Sequence, residues 1–164
     1  MSRRLFAGAG LGLAAVAAFG RGAVARAKGP FEVTKSEAEW RKILTPAQFR
    51  VLRKEGTEPP FSSPLDKLYA KGTYHCAACN LPAYSSEHKY DSRTGWPSFW
   101  QPISDKAVGT SVDYHLLYPR TEVHCARCGG HQGHVFKDGP APTGLRYCIN
   151  GLALKFVPAE KEQS

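Results

Sequence analysis

Residues 121–136 read TEVHCARCGGHQGHVF. The run into Cys125 reads as a β-strand. Cys125-Ala-Arg-Cys128 then sets two thiols on a tight turn, and Gly129-Gly130 follow it. The same device occurs upstream, where the strand-like GTYHCAAC of residues 72–79 ends in Cys76-Ala-Ala-Cys79. Two such knuckles supply four thiolates, the composition of a closed structural zinc site with no open position for catalysis. Compact zinc ribbons separate their pairs by only about 15–20 residues. Cys79 and Cys125 lie much farther apart, so the fold itself must bring them together. Two disulfides, or one redox-active C-x-x-C, are the competing readings. A redox pair normally opens a helix in a βαβ setting, and no such setting is visible.

Outward from the knuckles the chain keeps one texture after Gly56: Pro, Gly, Ser and aromatic residues with short apolar runs. TSVDYHLLYP (110–119), HVFKD (134–138) and LRYCINGLALKF (145–156) read as further strands, with turns at 80–82, 104–109, 119–121, 128–133 and 137–144. Before Gly56 the pattern is helical. SEAEWRKIL (36–44) places Trp40, Ile43 and Leu44 on one face. TPAQFRVLRKEG (45–56) carries a Thr45-x-x-Gln48 capping box, Pro46 at the first helical position, an apolar side of Phe49, Val51 and Leu52, and Gly56 as a stop. The expected architecture is mainly β and antiparallel with short N-terminal helices. It occupies residues 36–158, after a linker at 28–35 and before a polar tail at 159–164.

Residues 1–27 have the make-up of a cleavable export signal. Arg3 and Arg4 precede a mildly apolar Gly- and Ala-rich run, and Ala25-Arg26-Ala27 has the small-x-small form of a cleavage site. The run is shorter than the roughly 20 residues of a membrane span. SRRLF resembles a twin-arginine signal. The expectation is a periplasmic protein cut after Ala27, with no stable membrane anchor thereafter. Its loss takes four arginines (Arg3, Arg4, Arg21 and Arg26) from the formal charge of +8 and leaves +4. That mild charge includes no dense Lys/Arg stripe of the kind that grips phosphates, so no nucleic-acid partner is expected. The loss also removes the only methionine.

Cys148 is the fifth cysteine. An odd cysteine in an exported protein is a buried inert thiol, an intermolecular linker or a nucleophile. On a strand, Arg146, Cys148 and Asn150 face one way. A guanidinium beside a thiol favours the thiolate. His131 and His134 of HQGHVF are open to three readings: spare metal ligands, structural residues or proton donors near neutral pH. GWPSFW (95–100) is a tight aromatic turn that serves core packing or forms a pocket for a soft apolar group.

HCAAC, KYDSRTGWPSFW, HCARCGGHQGHVF, DGPAPTGLRYCIN and LALKF, in that order, resemble the peptide-methionine (R)-S-oxide reductases, the type B methionine sulfoxide reductases. The resemblance spans about residues 36–158. It implies two antiparallel sheets with a structural zinc at Cys76, Cys79, Cys125 and Cys128, remote from the active site. It implies Cys148 as the nucleophile that becomes a sulfenic acid, and His131 and His134 as active-site histidines of which one protonates the sulfoxide oxygen. Asn150 then helps hold the reacting group, Arg146 poises the thiolate, and Trp96 contacts the substrate methyl. The implied partners are oxidised proteins or peptides carrying methionine sulfoxide, and the implied role is protein repair under oxidative stress. Many members carry a resolving cysteine where this chain has Thr94. Threonine cannot attack a sulfenic acid, so two routes remain: an external thiol reductant, thioredoxin-like or other, attacks Cys148 directly, or a zinc-site cysteine intervenes. The first is expected, since stripping a ligand would cost the zinc. The competing classes are a zinc-ribbon binding module without catalysis and an envelope thiol–disulfide oxidoreductase. The first does not account for Arg146-Tyr147-Cys148-Ile149-Asn150 or the export signal, and the second would leave one C-x-x-C pair metal-free and titratable.

Overall fold

The computed structural model describes residues 30–160. The expected export signal, its cleavage point and the last residues of the polar tail lie outside the described residues. Helices α1 (Glu37–Ile43) and α2 (Pro46–Lys54) come first. Nine strands follow: β1 Gly72–Cys76, β2 Pro82–Ser85, β3 Lys89–Tyr90, β4 Ser98–Phe99, β5 Val108–Asp113, β6 Arg120–Cys125, β7 His131–Phe136, β8 Arg146–Ile149 and β9 Leu154–Pro158. They form a three-stranded sheet of order β2-β1-β9 and a six-stranded sheet of order β3-β4-β8-β7-β6-β5, with every pairing antiparallel. The expected two-sheet architecture is what forms.

The helix signals act as read. Ser36 and Thr45 each cap a helix in a full capping box, with Glu39 and Gln48 returning the bond. Two details differ. Ile43 is exposed, because the inward face of a helix this short is covered by Trp40 and Leu44, one turn apart. Glu55, not Gly56, takes the left-handed conformation that ends α2 (φ 56°), and the Gly56 N–H closes the turn onto the Arg50 carbonyl. Phe49, Val51 and Leu52 join Trp40, Leu44 and the knuckle cysteines Cys76, Cys125 and Cys128 in one buried cluster. The expected linker also takes part: the Val33 N–H bonds the Arg127 carbonyl, and the Phe31 ring meets His124 edge-on.

A second core lies between the sheets. Tyr74, Ala83, Tyr84 and Leu154 of the small sheet pack on Phe99, Val123 and Ile149 of the large one. Tyr84 stacks on Phe99 at 4.4 Å between ring centroids, and Tyr74 meets the same ring edge-on at 5.0 Å. Side chains alternate across a strand. One face of the large sheet is therefore committed to this core, and the other is left for polar residues.

The segment 144–156 is not one strand. β8 ends at Ile149, a 3-10 turn covers Gly151–Ala153, and β9 belongs to the other sheet. Gly151 is needed at the crossover, since a Cβ there would fall 1.9 Å from Ser63 Oγ. The turn expected at 128–133 is shorter and ends at Gly130. Reciprocal bonds from the Cys125 N–H to the Gly130 carbonyl and from the Gly129 N–H to the Cys125 carbonyl close the knuckle, and β7 starts at His131. Strand β5 stops at Asp113, and residues 114–118 form an exposed loop.

Candidate active site and metal centre

Register sets the first arrangement. Ser98 of β4 pairs with Cys148 of β8, Cys148 with His134 of β7, His134 with Glu122 of β6, and Glu122 with Ser111 of β5. Directly paired residues share a sheet face. One polar row thus crosses the large sheet on the side away from the inter-sheet core. Gly133 lets β7 and β8 approach closely at this point, since a Cβ there would lie 2.1 Å from the Cys148 carbonyl oxygen.

Two carboxylates anchor the histidines. His134 Nε2 lies 2.6 Å from Asp113 Oδ2, which also accepts from Arg120 Nη2 at 2.6 Å. His131 Nδ1 lies 2.7 Å from Glu122 Oε1, while Ser111 donates to the other Glu122 oxygen. All four acid and histidine side chains are buried. Burial opposes the charge on Asp113, but bonds from the His115 backbone, His134, His115 and Arg120 outweigh it and hold the carboxyl well below its usual range. Glu122 behaves likewise: burial works against it, and the bonds from His131 and Ser111 win. Burial pushes the His134 imidazole below its usual value, with Asp113 opposing. Both carboxylates are thus ionised and His134 is mainly neutral at pH 7.

Cys148 is half-buried. Its sulfur lies 3.8 Å from Thr94 Oγ1, whose hydroxyl is linked through Ser92 Oγ to Ser98 Oγ. Arg146 forms a two-bond pair with Asp138 (2.9 and 2.8 Å), its guanidinium 4.3 Å from the centre of the Phe136 ring. Burial pushes the Cys148 thiol up, while Thr94 and Arg146 both act to favour the thiolate without cancelling that rise. Asn150 is not on the strand, where the sequence reading puts it. It is buried beyond the end of β8, its Oδ1 accepting from the Glu58 N–H and its Nδ2 donating to the Gln132 carbonyl. Trp96 is half-buried two residues before Ser98, and its Nε1 donates to the Glu58 carbonyl at 3.1 Å.

The sequence reading missed Asp113, Glu122, Arg120 and Glu58. No local signal marks them: the first two are strand acids whose polar partners stand opposite only once the register is set.

The four remaining cysteines converge. Their sulfurs all lie within 4.8 Å of one another, with Cys76 and Cys128 at 3.7 Å and Cys79 and Cys125 at 3.5 Å. A tetrahedral ion with metal–sulfur bonds of about 2.3 Å requires sulfurs about 3.8 Å apart. The four side chains therefore fit a tetrahedral metal ion with little adjustment. Cys76 ends β1 and Cys125 ends β6, so the cluster ties the two sheets at one end.

Comparison with known proteins agrees with this arrangement. The family model described as SelR domain matches residues 44–158. A protein of Leptospira interrogans named peptide methionine sulfoxide reductase MsrB is 55% identical over 126 residues, which are 77% of this chain and 96% of that protein. Proteins of the same name from Agrobacterium fabrum and Methanosarcina barkeri are 51% and 54% identical over 127 and 129 residues. Those stretches are 77% and 79% of this chain, and 94% and 91% of those proteins. Two sheets, a four-cysteine cluster and a lone cysteine opposite a carboxylate-bound histidine thus coincide with extensive sequence identity, and the chain belongs to the MsrB family, as a SelR-domain protein.

Proposed function

We propose that this protein reduces peptide-bound methionine (R)-sulfoxide to methionine, with Cys148 as nucleophile. The observation that carries the reading is the pairing of Cys148 with His134 on the polar sheet face, while the other four cysteines converge elsewhere. Neutral His134 takes the Cys148 proton as the sulfur attacks and delivers it to the sulfoxide oxygen. The oxygen ends on the Cys148 sulfur as a sulfenic acid, and the sulfoxide sulfur gains the two electrons that Cys148 loses. Asp113 holds the ring and offsets the positive charge that forms on it. His131, fixed by Glu122, completes the polar wall of the site. Asn150 keeps the end of β8 against β7, Arg146 offsets negative charge on the sulfur, and the Trp96 ring receives the substrate methyl.

Thr94 stands beside the reactive sulfur, at the position of a resolving cysteine in other members. An external thiol therefore attacks the sulfenic acid and releases water. A second thiol then frees Cys148 and leaves with the first as a disulfide. Zinc is the metal that four thiolates favour, and Cys76, Cys79, Cys125 and Cys128 would hold it as a structural cross-link with no open position. Residues 1–27 direct twin-arginine export and are cut after Ala27, which places the enzyme in the periplasm. An Edman sequence of the exported protein starting at Lys28 is the expected result; an intact Met1 would refute it.

The decisive experiment gives separated R and S epimers of a methionine sulfoxide peptide, with dithiothreitol, to the wild type and to Cys148→Ser. Turnover of R alone, abolished in the variant, is expected. No turnover by metal-loaded wild type would return the chain to the class of zinc-ribbon binding modules.

A further inference from the structure

Glu58 has no part in the chemistry above, yet it is 2% exposed and every polar group it owns is used. Its carboxylate lies across the crossover that follows Cys148, with Oε1 accepting from the Gly151 N–H at 2.6 Å and Oε2 from the Leu152 N–H at 2.9 Å. Its backbone N–H donates to Asn150 Oδ1 at 2.9 Å, and its carbonyl accepts the Trp96 indole N–H at 3.1 Å. Glu58 thus bonds both to the segment leaving the nucleophile strand and to the ring assigned to the substrate.

A buried carboxylate is a costly way to hold two backbone N–H groups. Burial raises its pKa, and the two N–H bonds only partly compensate. The bonds are selective as well as strong, because two donors converging from Gly151 and Leu152 require two acceptors on one rigid group. Gly151 leaves no slack: a Cβ on it would come 3.3 Å from Glu58 Oε1 and 1.9 Å from Ser63 Oγ. The residue that fixes this junction also presents, from its own main chain, the acceptor that orients Trp96. The backbone of the Trp96 segment is held to the Cys148 strand by the β4–β8 pairing and by the Ile149 N–H bond to the Pro97 carbonyl, and Glu58 adds the bond that fixes the indole itself.

We propose that Glu58 is the positioning residue for recognition of the sulfoxide methyl, holding the Trp96 ring at a fixed place relative to Cys148. This rests on the assignment of Trp96 to the substrate methyl. The side chain touches neither substrate nor sulfur and acts through Trp96 and the crossover. Discrimination between a methyl and a larger alkyl group on the sulfoxide sulfur follows from it, since a held ring leaves a defined gap and a loosened ring does not.

Glu58→Gln replaces one acceptor oxygen by an amide N–H that meets a backbone N–H head-on. With one charge-assisted bond lost, KM for an (R)-methionine sulfoxide peptide rises on the order of tenfold, kcat changes about twofold or less, and the preference over the (R)-ethionine sulfoxide analogue collapses. A merely structural glutamate would lower the melting temperature and leave KM and the methyl preference of the folded enzyme unchanged; that result overturns the proposal. Should Glu58→Gln not fold, the enzyme carrying benzothienylalanine in place of Trp96 decides, since that bicyclic ring keeps the shape of the indole and lacks the tethered N–H. A KM raised there as it is in Trp96→Ala supports the tether. A KM unchanged there but raised in Trp96→Ala overturns it. KM unchanged in Trp96→Ala overturns the assignment of Trp96, and with it the role of Glu58, while reduction by Cys148 still stands.

Discussion

Replacing Gly133 by alanine tests whether the closeness of β7 and β8 is what sets Cys148 against His134. The added Cβ would start 2.1 Å from the Cys148 carbonyl oxygen and 3.0 Å from Ile149 Cα. Ordinary contact between carbon and oxygen needs about 3.3 Å, so roughly 1 Å of separation must be made between the strands. Both neighbours are backbone, and Ile149 is fully buried in the inter-sheet core, so no side chain can yield instead. Overpacking of this kind costs about 1–3 kcal/mol, and stretching the ladder bonds brings the sum to about 3 kcal/mol. For a domain of this size that is a fall in melting temperature of roughly 10 °C. Catalysis suffers more, since a displacement near 1 Å between reacting groups costs about 100-fold. The assay is kcat/KM for reduction of a methionine sulfoxide peptide, measured at a temperature where the variant is folded. The control is Gly144→Ala, a position with φ +69° and no atom within 4 Å of the added carbon, which should lose about 1 kcal/mol and no activity. A Gly133→Ala enzyme with wild-type kcat/KM would refute the idea that strand spacing places the nucleophile.

Further outcomes follow from the site's electrostatics and from the cysteine cluster. Folded His134 has a depressed pKa, so below about pH 6.5 the unfolded chain binds a proton that the folded chain refuses. Stability should therefore fall as pH drops from about 6.5 through the folded value, and His134→Gln should flatten that part of a urea-denaturation pH profile. An unchanged slope would remove His134 as the cause. Thr94→Val deletes the hydroxyl that favours the Cys148 thiolate, so iodoacetamide labelling of Cys148 at pH 8 should slow several-fold; an unaltered rate would show that the 3.8 Å contact does not act on the sulfur. Cys125→Ser should lose the metal, as read by released zinc, and lower stability by several kcal/mol. Retention of both would mean that three sulfurs suffice.

Motifs with local chemistry were legible in the sequence. Thr45-Pro46-Ala47-Gln48 caps a helix through its own neighbours, and each C-x-x-C turn closes within six residues. The whole β region could be read as antiparallel because its strands are short and punctuated. What escaped the reading depends on register. Asp113 is a strand acid like any other until β5, β6 and β7 align and bring it to His134. Cys148 beside Arg146 suggests an activated thiolate, but burial in the folded chain raises its pKa by more than Arg146 and Thr94 offset. Asn150 looks like a strand residue because nothing near it announces that the chain will change sheets, and the groups that bond it there belong to Glu58, 92 residues upstream, and to Gln132 on β7.

The way the two sheets are joined has a consequence for a protein that works among thiols. Among the described residues all five cysteines are free of disulfides, and the fastening between β1 and β6 is four converging sulfurs. A disulfide in that place would be open to any thiol able to reduce a Cys148 sulfenic acid, at the risk of unstitching the domain. Thiolates gathered on a redox-inert ion would present no disulfide to reduce and would be less open to oxidants than free thiolates. With the ion bound, the fold would keep two kinds of sulfur chemistry apart: the proposed nucleophile would turn over while four sulfurs hold still.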